Sequence, residues 1–261
     1  GDGQPDLVGS WNYAYRDGDP WAAPILYPSI DAGSPTQFGN LQRLRYFEPA
    51  APDAVKDLHT AYSCVDCEDF NHDGRLDLLY LNASSRTARI FLGTPRRQPG
   101  GATIFVGDRS FSVPRANTCQ AVDLDGDKVL DLVFGRQWLK NSGRNGWPLV
   151  LSKPVQLDVP AGCAFVDLDN DGRLDAIHPA ASTGGAIGGR LMWRRRLETG
   201  RLQFAAPAPL KSITETDITM VGASKVKDDT YLVIQHNAFQ QLAIYHRRAG
   251  SPKTARFQRI G

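Results

Sequence analysis

Three short stretches carry oxygen-bearing side chains on alternate residues. They are Asp69, Asn71, Asp73 and Asp77 in DFNHDGRLD, Asp123, Asp125, Asp127 and Asp131 in DLDGDKVLD, and Asp167, Asp169, Asp171 and Asp175 in DLDNDGRLD. Three or four carboxylates held this close repel one another or take up protons unless a cation sits among them. Calcium is a hard cation that takes 6–8 oxygens at roughly 2.3–2.6 Å. The spacing predicts a tight loop that turns alternate side chains inward and adds the carbonyl of its seventh residue, here Arg75, Val129 or Arg173. About three calcium ions are therefore expected. The saturated ligand set points to a structural role, a staple between strands.

The early spacing is shared with the EF-hand, which needs a bidentate Glu at position twelve and flanking helices. The twelfth residues here are Tyr80, Phe134 and His178, and the flanks have no helical period, so the EF-hand is excluded. Gly74 and Gly172 stand where the loop needs a positive φ. The second copy has Lys128 there and Gly126 two residues earlier. A non-glycine residue in that conformation costs roughly 1 kcal/mol. A fourth copy is cut by the start of the chain, where Asp2 and Asp6 match its fifth and ninth positions. Its first two ligands are missing, so it is expected to be empty or poor.

The elements that must hold these loops read as short strands. DLLYLN, ARIFLG and TIFVG follow the first complete loop, DLVFG and PLVLS the second. LMWRRRLETGRLQFAAP reads as a hairpin turning at Thr199-Gly200. The 25 Gly and 17 Pro punctuate the pattern. Each loop's last Asp marks one unit, and a final unit without ligands follows, its break KVKDDT lacking the alternating carboxylates. Units run approximately over 1–60, 61–115, 116–160, 161–213 and 214–261. Four strands per unit predict an all-β fold, a β-propeller of four-stranded blades in one domain. A stacked β-solenoid is the alternative, disfavoured by the irregular period. About five blades are visible, as a whole ring or as part of a larger one.

Asp-x-Asp/Asn-x-Asp-Gly-x-x-Asp before an apolar run resembles the FG-GAP or VCBS-type repeat of integrin α-subunit heads and of many secreted propellers. The resemblance implies a calcium-binding propeller, commonly of seven blades, so this sequence is read as a fragment or an ordered portion of a longer protein.

Composition fits a folded domain: 41% hydrophobic and 22% charged residues. No run of about 18 apolar residues predicts a membrane-spanning helix. The net charge of +2 hides an asymmetry: residues 1–175 hold 17 Lys/Arg against 23 Asp/Glu, residues 176–261 hold 13 against 5. Eleven of the first part's acids lie in the complete loops, so bound cations would leave the surface basic, as a solvated face or one that meets acidic partners. Cys64, Cys67, Cys119 and Cys163 all fall on strands leading into a loop. Disulfides and buried free thiols both fit. Zinc is disfavoured by a single C-x-x-C, and haem attachment is excluded by Glu68. The five histidines form no metal or catalytic spacing, and Asn82-Ala83-Ser84 is a glycosylation sequon.

The leading functional expectation is an extracellular, cell-surface or periplasmic interaction or adhesion module without catalysis. It would bind a protein or glycan through blade loops, with no nucleic acid. A glycan-binding lectin would use Trp11, Tyr13, Tyr15 and Trp21, unless these pack between blades. A polysaccharide lyase acting on acidic glycans would draw on Tyr231, His236 and Arg194 to Arg196, which no spacing ties together.

Overall fold

A computed structural model describes residues 7–10, 24–27, 42–43, 45–57, 63–97, 103–143, 146–180, 189–197, 202–215, 217–226, 229–236, 241–248 and 257–259. Among these, every regular element of more than one residue is a strand. β1 (Leu7–Ser10), β2 (Pro24–Tyr27) and β3 (Gln42–Arg43) form a three-stranded antiparallel sheet. β4 (Arg45–Glu48), β5 (Ala51–Asp57), β6 (Ser63–Glu68), β7 (Asp77–Asn82), β8 (Thr87–Arg97) and β9 (Thr103–Ser112) form a six-stranded sheet in the order β5-β4-β9-β8-β7-β6.

Three four-stranded sheets follow in sequence order. The first holds β10 (Cys119–Val122), β11 (Asp131–Phe134), β12 (Gln137–Leu139) and β13 (Val155–Gln156). The second holds β14 (Ala164–Val166), β15 (Asp175–Pro179), β16 (Leu191–Arg194) and β17 (Ala208–Pro209). The last holds β18 (Ile218–Val226), β19 (Asp229–His236), β20 (Gln241–Arg247) and β21 (Gln258–Arg259). With β6 to β9, four successive up-and-down meanders have the topology of a propeller blade. They fall within residues 61–115, 116–160, 161–213 and 214–261. The stretch before them behaves differently. β4 and β5 join the sheet of β6 to β9 through a parallel pairing of β4 with β9, Tyr46 opposite Phe105, and only β1 to β3 remain apart.

By contacts the chain divides into residues 1–123 with 128–155, and 124–127 with 156–261. In the first unit Leu79, Leu81, Ile90, Leu132 and Phe134 are completely buried in one cluster. A smaller cluster gathers Leu78, Tyr80, Phe91 and Phe105, with Tyr46 edge-on to Phe91 at 4.9 Å between centroids. In the second unit Ile177, Leu191, Ile218, Leu232 and Ile234 have no exposure. Each such side chain contributes on the order of 2 kcal/mol.

The strands leaving the acidic loops explain their apolar sequences. Of β7, β11 and β15 almost every residue is buried on both faces, which asks for a continuous apolar run rather than alternation. β19, in the unit without an acidic loop, alternates buried and half-buried residues instead. There Val226 pairs with Asp229, so two residues join β18 to β19 where eight join the corresponding strands of the other units. The hairpin read from LMWRRRLETGRLQFAAP is present in its arms, with Arg196 opposite Phe204. Its turn at Thr199-Gly200 lies outside the described residues, as do Asp2, Asp6, Trp11, Tyr13, Tyr15 and Trp21.

Candidate metal centre

Each acidic loop links the first strand of a meander to the second, and each is wound by its own side chains. Asp69 accepts from the N–H of Asp73 at 3.1 Å and of Gly74 at 2.9 Å. Asp167 does the same with Asp171 at 3.0 Å and Gly172 at 3.1 Å. Asp123 accepts from Lys128 N–H at 2.8 Å. The fifth residue takes the N–H of the seventh: Arg75 to Asp73 and Arg173 to Asp171, both at 2.9 Å. Local side-chain-to-backbone bonds of this kind set a turn before tertiary packing acts on it.

This winding puts two residues of each loop, not one, in the left-handed region. At the fourth position they are His72 (φ 59°), Gly126 (φ 85°) and Asn170 (φ 57°); at the sixth, Gly74 (φ 79°), Lys128 (φ 69°) and Gly172 (φ 83°). Every loop thus has one glycine and one strained residue. The second copy has exchanged their places, so Lys128 at a glycine position leaves its loop no worse than its neighbours.

The ninth residues play a different part. Asp77, Asp131 and Asp175 have no exposure. Asp77 accepts from Phe70 N–H at 3.0 Å and from Gly93 N–H at 2.7 Å. Asp175 accepts from Leu168 N–H at 3.2 Å and from Arg196 N–H at 2.8 Å. Asp131 accepts from Asn141 N–H at 2.8 Å and from Trp138 Nε1 at 2.9 Å. Each carboxylate ties its loop to the third strand or to a residue just beyond it. Gly93 is a glycine because a Cβ there would meet the Leu76 carbonyl. Burial pushes Asp77 and Asp175 up to about 6, against the opposing pull of those N–H groups.

Two of the three loops gather carboxylates closely enough for one ion. Oxygens of Asp123, Asp125 and Asp131 lie within 4.8 Å of one another, as do those of Asp167, Asp169 and Asp171. Asp127 stands outside the former trio and is exposed; Asp175 stands outside the latter. In the first loop Asp69, Asp73 and Asp77 do not draw together in this way, and Asn71 Nδ2 donates to Asp73 at 3.0 Å. Arg75, half-exposed, spends its guanidinium on Asp73 and on the Gly93 carbonyl at 3.0 Å. Val129 sits half-buried at the seventh position of the second loop, Arg173 at that of the third, its Nη2 2.7 Å from Asp171.

The third loop shows whether the donors suit a cation. Arg195, the residue after β16, places Nε 2.7 Å from Asp169 Oδ2 and Nη2 2.9 Å from Asp171 Oδ2, and the contact with Arg195 helps hold the Asp171 carboxyl below the usual range although burial opposes it. Positive charge is already drawn to the cluster, yet buried Asp169 Oδ1 accepts no hydrogen bond. An all-oxygen cluster with an orphan buried carboxylate oxygen fits a hard divalent ion.

Sequence reasoning missed Arg195 in this role, because its run read as material for a polysaccharide lyase. It also missed Asn141. That side chain is wholly buried and makes four bonds, accepting from Gly143 and Val150 at 3.0 Å and donating to Gly146 at 2.8 Å and Leu130 at 3.1 Å. Its one signal is a position two residues after the third strand, matched by Arg196.

The remaining candidates are placed as follows. Tyr231 and His236 leave β19 on opposite faces. Tyr231 stacks on His246 at 4.7 Å, and His236 pairs with Asp217 at 2.9 Å. Arg194 is held by Ala205 and Asp158 carbonyls. Asn82 Oδ1 is tied to Ser84 Oγ at 2.7 Å and Ser85 N–H at 3.1 Å, within the β7–β8 turn. All four cysteines are free thiols.

Residues 69–134 match the family of the FG-GAP-like repeat. No curated protein matches the chain. Among solved structures, the crystal structure of a protein from Lactobacillus plantarum aligns over 92% of this chain and 67% of that one, at 12% identity and a TM-score of 0.38. The matched repeat opens on the first residue of the first loop and ends on β11, the strand that the second loop feeds, so the chain carries an FG-GAP-like repeat there.

Proposed function

We propose that the chain is a calcium-stabilised β-propeller, complete or part of a larger ring, that serves outside the cytoplasm as a non-catalytic interaction module. The observation that carries this reading is the third loop, where three carboxylates converge and one buried oxygen is unpartnered. The four blade-type meanders and the FG-GAP-like repeat support it. Asp167, Asp169 and Asp171 would hold one ion, and Asp123, Asp125 and Asp131 another; the ion would offset carboxylate repulsion and fix the loop that joins two strands. The first loop, with Asp69, Asn71, Asp73 and Asp77, is the weakest of the three. The loops so fixed are the surfaces through which a protein or a glycan is bound, as loops on a rigid scaffold commonly are.

The test is calorimetric titration of the chelator-treated chain with calcium, paired with thermal unfolding. Saturable binding with a raised Tm is expected, and Asp169→Asn should abolish one binding event. Absence of both heat and Tm shift at millimolar calcium would defeat the metal assignment. The interaction role is tested apart from it: immobilised calcium-loaded chain should retain a protein from the source extract, or bind an arrayed glycan without altering it. Release of an ultraviolet-absorbing unsaturated product from an acidic glycan would instead make the chain a lyase.

A further inference from the structure

The strands β6 and β10 lie side by side within the first unit. Asp66 Oδ2 accepts from Ala121 N–H at 2.6 Å. Two residues earlier on each strand, Cys64 Sγ lies 3.4 Å from the Cys119 carbonyl oxygen. Both pairs are separated by 55 residues, so the strands run in the same direction with their cysteines aligned. The nearer neighbour in sequence is excluded by geometry. Cys67 is three residues along β6 from Cys64, and an odd spacing on a strand sends side chains to opposite faces. Cys163 donates to the Pro160 carbonyl at 3.0 Å, within its own loop.

We propose that Cys64 and Cys119 form a redox pair that closes into a single disulfide between β6 and β10 when the protein meets a small-molecule disulfide of the glutathione class. Cys64 is the attacking sulfur. The neighbouring Cys119 side chain lowers the Cys64 thiol from its ordinary value, whereas burial raises Cys119 well above it, and the thiolate is the nucleophile. Cys64 is also the more accessible of the two. Its thiolate attacks the reagent's S–S bond, forming a mixed disulfide and releasing one thiol equivalent. The Cys119 sulfur then attacks Cys64 Sγ; the S–S bond to the reagent breaks, and its second half leaves with the Cys119 proton. Two protein thiols and one disulfide become one protein disulfide and two small thiols. The two electrons pass from the protein sulfurs to the reagent.

The experiment treats the full chain with excess glutathione disulfide, unfolds it in acid, alkylates it and maps its peptides without reduction. The expected product has lost about 2 Da, joins the Cys64 peptide to the Cys119 peptide, and leaves Cys67 and Cys163 outside that link. Its Tm rises by about 5–10 °C, reversed by a dithiol reductant. Cys119→Ser should stop the reaction halfway, with one glutathione of about 305 Da on Cys64, whereas Cys64→Ser should leave Cys119 unmodified in the folded chain. The pairing is overturned if Cys64 and Cys119 are recovered as separate alkylated peptides, or if the link runs through Cys67 or Cys163. Glutathione on Cys119 of the folded Cys64→Ser chain would overturn the assignment of Cys64 as attacking sulfur. The wild-type map decides the pairing even where a variant fails to fold.

Discussion

Lys128 and Asn141 separate what single residues contribute through backbone and through side chain. Lys128 holds φ at 69° in an exposed position. Replacing it by glycine removes the left-handed penalty but loosens the unfolded chain, and the balance is a gain of about 0.5–1 kcal/mol in urea unfolding. Gly126→Ala should lose about 1 kcal/mol for the opposite reason. No atom lies within 4 Å of the added Cβ, so the loss reports backbone conformation alone. Asn141→Ala should cost about 3 kcal/mol, because buried partners such as the Gly143 N–H and the Gly146 carbonyl lose their bonds. The two cases differ in legibility. The need for a positive φ at the sixth loop position follows from Gly74 and Gly172, but the same need at the fourth is masked, since His72 and Asn170 tolerate it without announcing it. Asn141 gives almost no local sign, since its partners are fixed only once the loop after β12 has folded.

At the scale of the loop and its strands, ligands and brackets are distinct and respond differently to calcium. Asp77→Asn exchanges an acceptor for an NH₂ group facing a backbone N–H, a buried mismatch worth about 2–3 kcal/mol. That loss should be the same in calcium and in chelator. Asp169→Asn should instead lower stability in calcium and change it little in chelator. Urea melts of both variants under both conditions check the division; equal calcium dependence in the two would erase it. The carboxylates were visible in the sequence because alternate spacing is local, and so were the apolar strands that follow. The bracketing was not, because the N–H donors come 16, 10 and 21 residues after the aspartate, at intervals with no common period. The parallel addition of β4 to β9 was invisible for the same kind of reason: an edge pairing between distant strands leaves no pattern in either.

For the molecule as a whole, the raised carboxyls set how stability follows pH. Asp77 and Asp175 lie at about 6, Glu68 at about 7, and Asp66 is raised, all chiefly by burial. A carboxyl with a folded pKa above its unfolded value stabilises the fold fully below the unfolded value, and that contribution is lost as pH rises through the folded value. The metal-free chain should therefore become more stable as pH falls from about 7 toward about 4. The groups proposed to hold calcium are other carboxylates, so the Tm gained from calcium should change little over the same interval. Thermal unfolding across that range, with calcium and with chelator, should give two nearly parallel curves. Curves that converge on acidification would mean that the ion and the protons share these groups.

The exchange of glycine between the fourth and sixth loop positions bears on how such repeats change by descent. An intermediate with glycine at both places contains no strained residue, so passing from the arrangement around Gly74 to that around Gly126 crosses no stability valley. Copies of the loop can therefore drift apart in the residues that a pattern search relies on while tracing the same path in space, and a search requiring glycine at the sixth place would overlook the second loop of this chain.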